Sequence, residues 1–233
     1  MSLVVPPVCA GCGEPELSGH AVCPGCERRI VYLPGPRCRK CGAPVGRACD
    51  RCGECRGRSL AFDRAWSAFA YEGVPRRLVA ALKSRGTVAV AGFMGAVIAD
   101  GAPAALLRGA VVPVPAHPRR SRRHGFNQAA ALARAIGRAA GLPVVDLLRR
   151  EAASAPQVGL ERRARLANAR GSVRVVAQVP TAVVLVDDVY TTGATIDACA
   201  RVLRDAGATD VMALTFARAM RLRDTERRVA GRH

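Results

Sequence analysis

The stretch VVLVDDVYTTGAT, residues 183–195, carries the reading of the chain. Four apolar residues, three of them valine, run without a polar break into Asp187 and Asp188. A strand that is apolar on both faces belongs in a sheet covered on both sides, which is the pattern of parallel sheets. Thr191, Thr192, Gly193, Ala194 and Thr195 then lead into the helical pattern of residues 193–207, GATIDACARVLRDAG. Backbone N–H groups at such a helix start point outward, the helix dipole is positive there, and the threonine hydroxyls add donors. Gly193 and Ala194 are small enough to let a phosphate approach the backbone. Two carboxylates beside an anion cradle are contradictory unless they accept hydrogen bonds from the same ligand. A ribose 5-phosphate meets both demands, with two hydroxyls on the acids and its phosphate in the cradle. The purely structural alternative is a strand–turn–helix with a doubled N-cap.

Outward from this stretch the α/β pattern repeats. Residues 64–71, 109–115, 143–148, 173–177, 182–188 and 210–217 read as strands, and 74–83, 89–99, 126–140 and 193–207 as helices. Alternating apolar strands and helices predict a parallel sheet with helices on both faces and a ligand site beyond the strands' carboxyl ends. Cys199, on the apolar face of the last helix, reads as core.

The front of the chain is different. Nine of its ten cysteines lie between residues 9 and 55, as C9-x2-C12, C23-x2-C26, C38-x2-C41 and C49-x2-C52-x2-C55. Paired CxxC knuckles converge four thiolates on one tetrahedral Zn²⁺, and four-cysteine shells leave no open position for catalysis. Gly11, Gly13, Gly42 and Gly53 let amides turn toward the sulfurs. Site one is Cys9, Cys12, Cys23 and Cys26. Site two is read as Cys38, Cys41, Cys52 and Cys55, with Cys49 the alternative for one place. Disulfides and iron–sulfur are the competing chemistries; the absence of a secretory start favours thiolates. Large apolar residues are few here, so metal is expected to supply much of the stability. The expected division is 1–60 for the cysteine-rich zinc domain, 61–217 for the α/β domain and 218–233 for a basic tail.

The formal net charge is +18. Residues 1–60 hold 9 basic and 5 acidic side chains, so the remainder holds 27 and 13. A body this basic attracts polyanions, either nucleic acid or phosphorylated metabolites. Lys40 and Lys83 are the only lysines, so single arginines carry little information, whereas a retained Lys83 hints at a phosphate contact. No apolar run reaches the length of a membrane span and no signal peptide is visible, which implies a cytoplasmic protein.

The opening stretch closely resembles the phosphoribosyl-diphosphate (PRPP) signature of type I phosphoribosyltransferases over thirteen positions. The chain as a whole is similar to the ComF family, related to the bacterial competence protein F and described as amidophosphoribosyltransferase-like. The cysteine pairs, ALKSRG (81–86), VPVPAHPRRSRRHGFNQA (112–129) and APQVGLERRARLANARGSV (155–173) carry this likeness. Departures are GSV at 171–173, where the family more often has an aromatic, and the additional Cys49.

The resemblance implies an α/β, parallel-sheet type I phosphoribosyltransferase fold behind a small N-terminal zinc-binding domain. It implies PRPP on Asp187, Asp188, Val189, Thr191, Thr192, Gly193, Ala194 and Thr195, with Mg²⁺. Pro115, Ala116 and His117 would form a pyrophosphate loop with Arg85, and Lys83 and His117 are the further catalytic candidates. Residues 155–172, with Gln157, Arg162, Arg163 and Asn168, are expected to form a loop closing over the site, or else an exposed amphipathic helix. Arg119, Arg120, Arg122 and Arg123 would neutralise a diphosphate, contact a nucleic-acid backbone, or form a solvated basic face. Trp66, Phe69, Tyr71 and Phe126 are the few candidates for stacking on bases. Three functions follow: a PRPP-dependent transferase with an unidentified acceptor, linked to DNA uptake; a single-stranded-DNA-binding competence factor working with other competence proteins; or a PRPP-sensing regulator.

Overall fold

In the computed structural model, residues 7–85, 88–116, 127–150 and 173–220 are described. After a short helix α1 (Pro24–Glu27), the body runs β1 (Arg64–Ala70), α2 (Gly73–Arg85), α3 (Val88–Gly101), β2 (Ala110–Pro113), α4 (Gln128–Ala140), β3 (Leu148–Arg150), β4 (Val173–Val175), β5 (Ala182–Tyr190), α5 (Ala194–Asp205) and β6 (Asp210–Arg218). Four strands form one parallel sheet in the order β1-β6-β5-β2. β5, central in that sheet, is buried from Val183 to Val186, as its unbroken apolar run requires. Val184 and Val186 pack into one core layer with α2, α3 and α4, while Val183 and Leu185 pack into another with α5 and the second cysteine cluster.

α4 has the capping its sequence specifies. The Asn127 carboxamide accepts from Ala129 N, and Gly141 closes the helix in the left-handed conformation at φ 66°. α3 approaches α4 closely at Gly95, where a Cβ would lie 2.4 Å from Ala135 Cβ.

The strand expected at 143–148 is displaced. Only Val144 bridges, in parallel, to Val111, and the strand begins at Leu148. It pairs antiparallel with β4 in a separate two-stranded sheet. Of the run PVVDLL only Leu147 and Leu148 are buried, packed beside β5, while Val144 is exposed. The cysteine-rich front is also not an isolated knot, since Val22, Ala43, Leu60 and several cysteines are buried together with residues of the body. Trp66 and Phe69 are buried, with Phe69 stacked on Tyr32 at 4.8 Å, so neither is available to stack on a nucleic-acid base. Cys199 is fully buried, as expected of a core residue. No helix among the described residues is long and apolar enough to cross a membrane.

Candidate functional site

The carboxyl ends of β1, β2 and β5 open onto one cavity of about 480 Å³. Its walls include Asp187, Asp188, Val189, Thr191 and Thr195 from the opening stretch, together with Pro115, Ala116 and Lys83. The sequence candidates in these three segments, far apart in the chain, therefore share one space. Thr192, Gly193 and Ala194 complete the turn into α5. Gly193 has φ 73°, a conformation that favours glycine. Ala194 N lies 3.4 Å from Thr192 Oγ1, and Asp197 N donates to Gly193 O at 2.8 Å.

The two acids differ. Asp188 is 9% exposed and its carboxylate meets Lys83 Nζ at 2.7 Å. The lone lysine of the body is thus an ion-pair partner of the motif. Asp187 Oδ1 accepts from Asp188 N at 2.8 Å. Burial pushes the Asp187 carboxyl up to about 8, the charge of Asp188 adds to this, and Lys83 only partly opposes it. A cation or hydrogen-bond donors brought to Asp187 would favour its ionised form.

Tyr71, Asn127, Gln128 and Arg150 also line the cavity. Asn127 and Gln128 were legible only as part of HGFNQA, without a role. In the structure Asn127 Nδ2 donates to Val114 O at 3.2 Å while its Oδ1 caps α4, tying the segment after β2 to the helix start. His117, Arg119, Arg120, Arg122, Arg123 and Phe126 lie outside the described residues, as do Gln157, Arg162, Arg163 and Asn168. The side chain of Arg85 lies outside them as well.

The cysteines converge in two groups, Cys9, Cys12, Cys23 and Cys26, and Cys38, Cys41, Cys52 and Cys55, with the sulfurs of each group within 4.8 Å of one another. In the second group the pairs Cys38–Cys55, Cys41–Cys52 and Cys52–Cys55 stand at 3.6, 3.5 and 3.9 Å. A tetrahedral Zn²⁺ with Zn–S of about 2.3 Å places its sulfurs about 3.8 Å apart, so the donor set fits this ion. Amides face the sulfurs as the glycines suggested: Gly11 N and Cys23 N donate to Cys9 Sγ at 3.3 and 3.2 Å, and Cys52 N to Cys38 Sγ at 3.3 Å. Cys49 stays outside the group; its backbone bridges Cys38 instead.

Comparison with known proteins agrees with this layout. Residues 1–56 match the double zinc ribbon domain. The chain is 30% identical to the DNA utilization protein YhgH of Salmonella typhi over 233 residues, covering 94% of this chain and 100% of the relative. It is 27% identical to competence protein F of Haemophilus influenzae over 223 residues, covering 91% and 96%. Among solved structures, glutamine PRPP amidotransferase from B. subtilis overlaps 54% of this chain and 25% of its own, at 22% identity and a TM-score of 0.40. Orotate phosphoribosyltransferase from Aeropyrum pernix overlaps 61% and 64%, at 24% identity and a TM-score of 0.37. These overlaps are partial, and the α/β architecture stands on the strand order and registers above. With relatives matched along almost their whole length, one of them at 30% identity, and with a double zinc ribbon at its own front, the chain belongs to the ComF family of competence and DNA utilization proteins.

Proposed function

We propose that the chain binds PRPP at the strand ends and transfers its phosphoribosyl group to an acceptor with release of pyrophosphate, in a role linked to DNA uptake. One observation carries the reading: Asp187, Asp188, Thr191 and Thr195 line the same cavity as Pro115 and Ala116. In this reading the 5-phosphate takes the cradle at the start of α5, where the helix dipole and amides face it. The ribose hydroxyls donate to Asp187 and Asp188. The segment after β2, held by Asn127, faces the diphosphate. Two adjacent carboxylates are hard oxygen donors suited to Mg²⁺, which would neutralise charge developing on the leaving pyrophosphate. Lys83, freed from or shared with Asp188, is the nearest ammonium for the same charge. The DNA utilization and competence names of the relatives support the link to DNA uptake, and the net charge of +18 is suited to contact with a polyanion.

The test is calorimetric titration of the zinc-loaded chain with PRPP and Mg²⁺, beside an Asp187→Ala, Asp188→Ala double variant. Saturable binding that the double variant loses is the expected result, and pyrophosphate release in acceptor mixtures then separates an enzyme from a sensor. No binding by the wild-type chain would overturn the reading. The basic surface would then account for function by itself, through DNA binding that weakens steeply with salt and survives loss of both acids.

A further inference from the structure

The cradle loop has little to hold it from within. Its internal support is the long contact from Ala194 N to Thr192 Oγ1 at 3.4 Å and the first helical bond at Gly193 O. A phosphate site depends on amides fixed before the ligand arrives, because ordering them on binding costs affinity. Among the described residues two arms reach the loop from outside, and both are bonded to the second cysteine group.

The first arm is Arg58. Its amide donates to the carbonyl of Cys55 at 3.2 Å, and its Nη2 donates to Thr192 O at 2.8 Å across 134 residues of sequence. The second arm is Arg218, the last residue of β6, which is 1% exposed. Its Nη1 donates to Cys41 O at 2.8 Å, and its Nη2 meets Glu54 Oε2 at 2.6 Å and lies 3.9 Å from Cys41 Sγ. Its guanidinium lies over the Tyr190 ring, 4.4 Å from the centroid. Tyr190 in turn abuts the turn of the cradle, for a Cβ on Gly193 would sit 2.3 Å from Tyr190 Oη. The Tyr190 hydroxyl has no hydrogen-bond partner among the described residues, so packing beneath the guanidinium holds the ring.

A buried arginine is costly to desolvate, and a buried ion pair contributes little net stability compared with apolar residues of the same volume. Stability is therefore a poor reason for Arg218 to occupy this place. Its contacts instead join two groups that must keep a fixed relation. We propose that Arg58 and Arg218 are positioning residues that lock the phosphate cradle onto the second zinc knuckle, so that a closed knuckle sets the cradle for its phosphate. The consequence for affinity rests on the PRPP reading; the consequence for loop rigidity does not.

The experiment is amide hydrogen exchange across residues 190–196 of the full zinc-loaded chain, with PRPP calorimetry on the same samples. Arg58→Ala and Arg218→Met should each speed exchange in the cradle tenfold or more, while exchange in β2 and α4 and the zinc content stay as in the wild type. PRPP should bind about tenfold more weakly in both variants. Arg58→Lys, which keeps a donor, should recover protection. Arg39→Ala, on the same ribbon but bonded through its side chain to Asp50, should change nothing. Wild-type exchange in the cradle of Arg58→Ala would overturn the proposal. Because Arg58 is only half-buried, that variant decides the matter even if Arg218→Met fails to fold. If the wild type binds no PRPP, the functional reading falls while the exchange result still judges the positioning.

Discussion

At Asp187, burial and a neighbouring negative charge act in the same direction. Its folded value of about 8 lies above the ordinary 3.8, so between those limits the folded protein keeps a proton that the unfolded chain has released. Stability of the free chain therefore falls as pH rises through that window and levels off above it. A ligand that brings cations reverses the preference and expels the proton. Titration with PRPP and Mg²⁺ at pH 7 in two buffers of different ionisation enthalpy should show release approaching one proton, vanishing by pH 10 and absent in Asp187→Asn. Equal heats in both buffers at pH 7 would mean that Asp187 is already ionised in the free site. The acids, threonines and glycine of this site were legible because their order in the chain is their order in space. Arg58 and Arg218 were not. In an arginine-rich chain one more arginine carries no signal, and Arg218 read as the start of a basic tail. Its carboxylate partner Glu54 is 164 residues away, a pairing that only the fold reveals.

Among the elements, those with a one-dimensional cause could be read from sequence. β5 is apolar because both its faces are covered, and α4 ends at Gly141 because that glycine supplies the cap, whereas the N-cap Asn127 lay unmarked inside the stretch read as helix from residue 126. β3 was displaced because its partner β4 follows a long intervening segment, and nothing local marks LRR as a strand. The α3–α4 contact is equally non-local, yet it gives a paired test. A side chain at Gly95 would strike Ala135, so Gly95→Val should lower stability by about 1–3 kcal/mol through overpacking. Gly92, one turn earlier, has nothing within 4 Å of a built Cβ. Gly92→Ala should raise stability by about 0.5–1 kcal/mol, because alanine loses less backbone freedom in a helix. Thermal or urea unfolding of the two variants should give shifts of opposite sign. A loss in both would mean that α3 packs on its other face as well.

At the scale of the whole molecule, the zinc ribbon and the sheet complete one another. Among the described residues β1 is an edge strand, and from Ala65 to Ala70 it is buried. An apolar edge left open is a template for aggregation. Here the ribbon covers it: Leu33 N donates to Ala68 O at 2.8 Å, Ala65 N donates to Lys40 O at 2.9 Å, and Arg37 Nη1 donates to Ser67 O at 2.7 Å. Gly42, at φ 70°, lies so close that a Cβ would come within 2.4 Å of Ala65 O. A structural zinc site contributes about 10–16 kcal/mol of apparent binding free energy, comparable with the whole net stability of a domain at about 5–15 kcal/mol. Stripping the metal should therefore open the sheet as well as the ribbon. With a strong chelator at constant temperature, zinc release followed by a metallochromic dye and aggregation followed by light scattering should rise together. The thermal midpoint of the body should also fall by roughly 10 °C or more, the scale of a loss of a few kcal/mol for a domain of this size. A body that unfolds at the same midpoint with and without chelator would make the ribbon an appendage. The edge of β1 would then owe its protection to its own sequence.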